Sequence, residues 1–316
     1  MSESEILLAG DHARSMLRSA ERRGEVERLR RGAYRRVPDA GVSSTDRWSS
    51  ARRRHVDRAR AAHAQLRRPH WFSHDTAAVL LGLPVWRLPD PVHLTQHYRA
   101  SSRAARDLRR HVLPVADHHR DLALGLPVTT LERTVADCVT TLPALDGLVI
   151  ADAALRSGLD LEATRRLVES RYRGGARGSR VLELADAGAE SAWESWLRYV
   201  GWWAGLPRPR TQHPVRTRLG SFRVDLGWPE HQVLVEFDGL VKYRRGALGP
   251  DHDPDAARIA EKRREDAITE ATGVRLLRVT SMDARDPQSV ADRLVARFPP
   301  EVRRGARRDP LLARPR

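Results

Sequence analysis

Hydrophobic positions recur at helical spacing in several segments of the chain, and suitable cap residues border most of them. Residues 13–23 form a predicted helix with Met16 and Leu17 inward, which Gly24 ends. An amphipathic helix is predicted from about 45 to 66. Further helices are predicted over 145–158, 258–272 and 287–298, and after the candidate N-caps Ser73, Thr130, Asp160 and Ser191.

Alternation of apolar and polar positions predicts strands elsewhere. Residues 25–37 read as a hairpin with Gly32 near its turn, and 91–96 as a short strand. The segment RVDLGWPEHQVLVEFDG, residues 223–239, reads as a buried hairpin, and GVRLLRVT, residues 273–280, as a buried strand. Helices and strands in this order predict an α/β sandwich in the C-terminal third and an α+β protein as a whole.

Composition shifts divide the predicted elements into domains. We expect a winged-helix region at 1–40, a mostly helical middle domain at 41–173, a Gly-rich linker at 174–180, the α/β sandwich at 181–300 and a basic tail at 301–316. The N-terminal residues lack the basic start and apolar core of a signal peptide. No apolar run approaches the roughly 20 residues of a membrane helix, so a cytoplasmic protein without a membrane partner is expected.

Charge narrows the choice of partners. The chain carries a formal net charge of +15 and a pI near 11.1. Such a balance favours a polyanionic partner, nucleic acid before an acidic membrane surface, although an arginine-rich solvated surface explains it too. The single cysteine, Cys138, excludes an internal disulfide and a cysteine-based zinc site. The spacing of His93, His97, His111, His118 and His119 fits no metal motif, so surface or hydrogen-bonding roles are expected.

The N-terminal basic residues suggest how nucleic acid would bind. A basic helix followed by a basic hairpin is typical of a winged helix-turn-helix, which places the helix in a major groove and the wing on phosphates. The alternative is an ordinary solvated helix and hairpin. The candidate DNA-binding residues are Arg14, Arg18, Arg22, Arg23, Arg28, Arg30, Arg31 and Arg35.

Three carboxylates in the apolar hairpin form the candidate catalytic centre. A loop of about four residues around Pro229 and Glu230 would set Asp225 opposite Glu236, and Asp238 follows two residues later on the same face. Burying unpaired charge costs several kcal/mol per ion, so a compensating cation is expected. Oxygen ligands suit Mg²⁺ or Mn²⁺, held by Asp225 and Glu236, which would activate water for attack on a phosphoryl group.

Two further residue types join this centre. Among 56 Lys and Arg residues only Lys242 and Lys262 are lysines, and both follow the acidic strand. A lysine there either positions the attacking water or pairs with Glu236 or Asp238. Glu194 either adds a fourth acid or completes a capping box with Ser191.

The hairpin, the following VKY, the helix segment EKRRED and the strand GVRLLRVT resemble the PD-(D/E)XK nuclease superfamily, in particular domains similar to the very-short-patch repair endonuclease. The resemblance covers roughly 190–298 and implies a restriction-endonuclease-like sandwich. It also implies that Asp225 is the first acid and Glu236 the second. Asp238 stands at the lysine position, so Lys242 or Lys262 would supply a migrated lysine.

The N-terminal two-thirds resembles abortive-infection type IV antitoxins. The residues that carry this resemblance are RSAERRGEVERLRRGAYRRV, SHDTAAVLLGLP, PVHLT and GLPVTTLERTVADC. It implies DNA binding, at the protein's own promoter for example, and a cognate toxin as a partner.

Together these features predict a DNA-binding protein whose C-terminal nuclease fold hydrolyses phosphodiesters with Mg²⁺ in repair or phage defence. The alternative is a non-catalytic, antitoxin-like transcriptional regulator with a degenerate nuclease fold. The sequence does not determine the oligomeric state.

Overall fold

The computed structural model describes residues 5–37, 47–99, 105–170, 173–238 and 254–315, with side chains from 259 onward in the last range. The helices in these ranges are α1 (Arg14–Arg22), α2 (Arg47–Gln65), α3 (His74–Leu80), α4 (Leu131–Thr141), α5 (Ala144–Arg156), α6 (Leu161–Glu169), α7 (Gly175–Leu184), α8 (Ala192–Trp203), α9 (Pro254–Thr272), α10 (Pro287–Val295) and α11 (Pro300–Gly305).

The strands in the same ranges are β1 (Ile6–Leu8), β2 (Val26–Arg30), β3 (Ala33–Arg36), β4 (Trp71–Phe72), β5 (Val92–Gln96), β6 (Leu108–Val112), β7 (Arg120–Ala123), β8 (Leu126–Thr129), β9 (Arg210–Thr217), β10 (Gly220–Trp228), β11 (Val233–Asp238) and β12 (Leu277–Thr280). Within the described residues they form three sheets, one antiparallel and two mixed. The expected α+β class is confirmed.

The chain divides into two compact units, and the division differs from the expected domains. The first unit comprises Met1–Thr141 with Leu159–Arg171, and the second comprises Leu142–Gly158 with Tyr172–Arg316. Helix α5, expected in the middle domain, therefore belongs to the second unit. The expected linker at 174–180 is wrong as a linker, because Gly175–Ser179 is the first half of α7. Val181, Leu182 and Leu184 at helical spacing bury that helix despite its glycines.

The first unit begins with the sheet β1-β3-β2, against which α1 packs. Leu17 is buried as expected, but Met16 is 50% exposed. The buried stripe runs through Leu17 and Ala20, three residues apart, and Met16 lies about 100° away from Leu17 around the helix. Gly24 at φ 75° closes α1, and Gly32 at φ 78° forms the hairpin turn. These conformations favour glycine, so both predicted chain reversals are confirmed.

The remainder of the first unit is less helical than expected. Strands β6-β5-β4-β8-β7 form a mixed five-stranded sheet, of which the sequence indicated only β5. Short strands such as LRRHV and RDLA lack alternating β-branched residues, so no period-2 signal marks them. Two of the predicted helix N-caps agree with the structure better than the predicted strands do. Asp160 accepts a hydrogen bond from Ala163 N at 2.9 Å, and Thr130 Oγ1 accepts one from Arg133 N at 3.4 Å.

The second unit contains the sheet β12-β11-β10-β9, on which helices pack. Leu226 pairs with Val235 across the β10–β11 hairpin, and four residues, Pro229 to Gln232, connect the strands as predicted. β11 then runs parallel to β12, with Glu236 opposite Arg278. Phe237 stacks on Trp193 of α8 at 4.9 Å between ring centroids.

The expected basic tail is partly structured. Residues 300–305 form α11, and Tyr199 of α8 donates a hydrogen bond to Ala313 O at 2.8 Å. Leu312 is buried. In the part of the chain that the structure describes, no helix combines the length and the apolar character needed to cross a bilayer.

Candidate functional site

The acids singled out in the sequence lie together at the end of β11. Asp225, Glu236 and Asp238 line one cavity of about 270 Å³. The other charged residues of its lining are Glu261 and Arg264 of α9 and Arg278 of β12. The hairpin register sets Asp225 and Glu236 side by side, and the parallel pairing of β11 with β12 brings Arg278 to the same place.

Asp225 is the acid with the most perturbed environment. Its Oδ2 accepts a hydrogen bond from Phe237 N at 2.8 Å, on the neighbouring strand. The pKa of Asp225 is raised to about 7, mainly by burial and also by the negative charges of Glu194 and Glu236. The Phe237 hydrogen bond and Arg264 oppose this rise. A carboxyl group of this kind is half-protonated near neutral pH, so its charge is poorly compensated by the protein itself.

Glu236 is only 7% exposed, and an arginine compensates its charge. Arg264 binds both of its carboxylate oxygens, with Nη1 lying 3.0 Å from Oε2 and Nη2 bonded to Oε1. This two-point geometry gives a strong charge-assisted pair. Arg264 is fixed in turn by hydrogen bonds to Glu261 Oε1 at 3.1 Å and Arg223 O at 2.8 Å.

Asp238 is neutralised in a similar way. Arg278 Nη1 lies 3.2 Å from Asp238 Oδ2, and Arg278 Nη2 lies 2.5 Å from Glu261 Oε1. Arg278 Nε also lies 3.3 Å from Glu265 Oε2. The two arginines thus form an ion-pair network with four acids. Sequence reasoning missed both arginines, although the helical spacing of Glu261, Arg264 and Glu265 was a usable signal for Arg264.

Of the two lysines expected at the site, the structure describes Lys262. Lys242 lies outside the described residues. Lys262 is exposed and lines a larger neighbouring cavity of about 1180 Å³ together with Asp238 and Glu261. It is not among the residues that line the cavity with Asp225 and Glu236. Consecutive helix residues point about 100° apart, so Lys262 cannot share the inward direction of Glu261.

Glu194 forms one half of the predicted capping box, because its carboxylate binds the backbone N–H of Glu190 and not that of Ser191. Ser191 Oγ accepts a hydrogen bond from Glu194 N at 3.2 Å, and Glu194 Oε2 accepts one from Glu190 N at 2.8 Å. Gln212 Nε2 donates a further bond at 3.0 Å. Glu194 is not part of the cavity lining, yet its charge raises the pKa of Asp225. Its main contacts are structural.

The eight N-terminal arginines separate into two groups. Arg30 is held by Asp107, with Nε 2.8 Å from Oδ2, and Arg35 lies 3.0 Å from the buried carboxylate of Asp57. Both guanidinium groups are therefore held in ion pairs within the first unit. The remaining six are exposed, namely Arg14, Arg18, Arg22, Arg23, Arg28 and Arg31. Exposed arginines therefore lie on α1 and around the hairpin, although Arg23 is itself paired with the exposed Glu25.

Comparison with known proteins leaves the family open. No family model matches the chain. Over 172 residues it is 30% identical to the Mycobacterium tuberculosis proteins titled "Uncharacterized protein MT2308" and "Uncharacterized protein Rv2248", from two strains. The match covers 53% of this chain, and the chain spans 58% of those relatives. The crystal structure of the RV2827C protein from the same organism aligns with 56% of this chain and 71% of its own, at 17% identity and a TM-score of 0.38.

Proposed function

We propose that this chain binds DNA and that its second unit is a divalent-metal-dependent phosphodiesterase centred on Asp225 and Glu236. The observation that carries the proposal is the state of Asp225, which shares a cavity with three other acids and has a pKa of about 7. A buried acid destabilised by neighbouring acids is what a bound cation relieves.

The residues present fit Mg²⁺ or Mn²⁺. Asp225 and Glu236 supply carboxylate oxygens in the small cavity, and both ions prefer oxygen ligands. For Glu236 to serve as a ligand, Arg264 must release at least one of its oxygens. When bound, such an ion polarises a phosphoryl oxygen and lowers the pKa of its bound water.

The protein's own residues have separate tasks in this proposal. Asp225 holds a negative charge at the reaction centre once its proton has left. Arg264 and Arg278 already lie at the cavity and can each bind phosphate oxygens through a planar guanidinium group. The exposed arginines of α1 and the β2–β3 hairpin hold the DNA backbone through salt-sensitive contacts.

A second function is favoured by the ion pairs themselves. Arg264 binds both carboxylate oxygens of Glu236, and Arg278 contacts one oxygen of Asp238, so these two acids are compensated by arginine without a metal. Under this alternative, the second unit is a stable, non-catalytic fold. The protein is then an antitoxin-like regulator that binds DNA at a promoter, with a cognate toxin as partner.

Supercoiled plasmid distinguishes the two proposals. Intact protein is incubated with Mg²⁺ or Mn²⁺ beside Asp225→Ala, Glu236→Ala and the control Glu230→Ala, which alters an exposed acid in the same hairpin. The phosphodiesterase predicts nicking by the wild type and the control and none by the two site variants. Absence of nicking from all four, with salt-dependent DNA binding retained, supports the regulator.

A further inference from the structure

Three histidines from separate parts of the sequence converge in the first unit. His74 is the first residue of α3, His93 lies on β5 and His111 on β6. One ring nitrogen from each lies within 4.8 Å of those of the other two. His74 is 2% exposed, and the other two are half-buried. The expectation that His93 and His111 serve only as surface or hydrogen-bonding residues is therefore incomplete.

The backbone explains why the three side chains meet. β5 and β6 are parallel, with His93 opposite Arg109 and Thr95 opposite His111. His93 and His111 are thus two positions apart on one face of the sheet. Ser73 N donates a hydrogen bond to His93 O at 3.2 Å, which places the start of α3 beside them. His74 has φ 55°, an uncommon conformation for a residue with a side chain, and such conformations concentrate at functional sites.

The outer partners orient the rings. Asp75 Oδ1 lies 3.3 Å from His93 Nδ1, and Ser73 Oγ lies 2.9 Å from His74 Nδ1. The Ser73 contact is a hydrogen bond, whereas the Asp75 contact is an ion-pair distance, and His93 Nδ1 is buried without a hydrogen-bond partner among the described residues. His111 Nε2 is buried and has no hydrogen-bond partner among the described residues. A carboxylate on the far nitrogen of a histidine is the usual outer partner at a metal centre.

We propose that His74, His93 and His111 bind a divalent transition metal of the zinc class, oriented by Asp75. Three imidazoles without sulfur or several carboxylates suit Zn²⁺ and related ions rather than Mg²⁺. The rings of His74 and His111 stack at 3.7 Å between centroids, so they tilt apart when both nitrogens approach one ion. Three protein ligands leave the fourth position of a tetrahedral site open to water or another ligand. The site is separate from Asp225 and Glu236.

Zinc and cobalt binding by the full chain tests this site. The protein is purified without a histidine tag, stripped with a chelator and titrated with Zn²⁺ by calorimetry, and with Co²⁺ by visible absorption. We expect one Zn²⁺ equivalent that is lost in His111→Gln and kept in His118→Gln, an exposed histidine of the same unit. Asp75→Asn should weaken Zn²⁺ binding by about 10–100-fold, as loss of an outer partner does. Asp225→Asn should leave it unchanged.

Cobalt spectra keep the test decisive if a variant fails to fold. Wild-type protein at one equivalent of Co²⁺ should show the intense visible bands of a four-coordinate ion. Wild-type protein that binds no Zn²⁺, or that gives only the weak spectrum of hydrated Co²⁺, overturns the proposal. Equal Zn²⁺ binding by folded wild-type and His111→Gln protein also overturns it, and in that case the three rings pack as a buried aromatic cluster.

Discussion

Substitution of Asp225 by asparagine should stabilise the second unit, although Asp225 lies at the centre of the proposed active site. Asparagine keeps an oxygen that accepts the hydrogen bond from Phe237 N. It removes the negative charge that burial and two neighbouring carboxylates disfavour. Residues of active sites are often held at a cost in stability, so a gain on removal of this charge is physically reasonable.

The expected gain in stability depends on pH, and its sign follows from the raised pKa of Asp225. The ordinary pKa of this group is 3.8, and in the fold it is about 7. Below pH 4 both states are protonated and the charge has no effect. Between pH 4 and 7 the unfolded chain loses its proton while the folded chain keeps it, so the wild type loses stability as pH rises. Above pH 7 both states have lost the proton, so the stability of the wild type no longer changes with pH through this group.

The magnitude follows from the same pKa difference. At about 1.36 kcal/mol per pKa unit, a difference of about 3 gives an upper limit of about 4 kcal/mol above pH 7. Since Asp225 keeps partial contact with solvent, we expect Asp225→Asn to raise the free energy of unfolding by about 2–3 kcal/mol at pH 8 and about 1 kcal/mol at pH 5.

Urea unfolding followed by tryptophan fluorescence measures this effect, because Trp196 and Trp228 are buried in the second unit. Wild type, Asp225→Asn and the control Glu230→Gln are compared at pH 5 and pH 8 without divalent ions. A Mg²⁺ concentration 100 times its Kd should then stabilise the wild type by about 2.7 kcal/mol and leave Asp225→Asn unchanged.

Two results would refute the reasoning. If Asp225→Asn is less stable than the wild type at pH 8, the ionised carboxylate is well compensated in the fold. If the stability difference does not grow between pH 5 and pH 8, the pKa of Asp225 is not raised. An equal Mg²⁺ response in both proteins would place any cation elsewhere.

Other substitutions test the arginines. Arg14→Ala and Arg18→Ala should each weaken DNA binding and reduce the slope of log K against log salt by about 1, measured by fluorescence anisotropy; an unchanged slope would contradict their role. Arg35→Ala should leave that slope unchanged but lower stability by about 2–3 kcal/mol, because a buried carboxylate loses its partner. Arg198→Ala should cost about 3–5 kcal/mol in urea unfolding, since Arg198 and Asp152 form a pair that is 0% and 1% exposed; a loss below 1 kcal/mol would show that Asp152 is protonated in the fold.

The local features of this protein could be read from its sequence. Gly24 and Gly32 mark chain reversals, Asp160 caps α6, and a four-residue loop joins β10 to β11. Each depends on residues within a few positions of one another, so the chemistry of neighbours suffices. The proximity of Asp225 and Glu236 belongs to this class, because a short loop fixes the hairpin register.

Local reasoning failed where the signal was weak or where packing reversed a preference. The glycines of α7 indicated a linker, but burial of Val181 and Leu182 stabilises a helix there. The arginine- and histidine-containing strand β6 gave no alternation, because hydrogen bonding to β5 rather than its side chains determines it.

Only the tertiary structure decided how the charged groups are paired. Arg264 reaches Glu236 from a helix 28 residues away, and Arg278 reaches Asp238 across 40 residues. His74, His93 and His111 meet because a helix start lies beside two parallel strands. Sequence determined which residues could carry charge or bind a metal. Which of them pair was decided by long-range packing, because side chains interact over a few ångströms in space and not by distance along the chain.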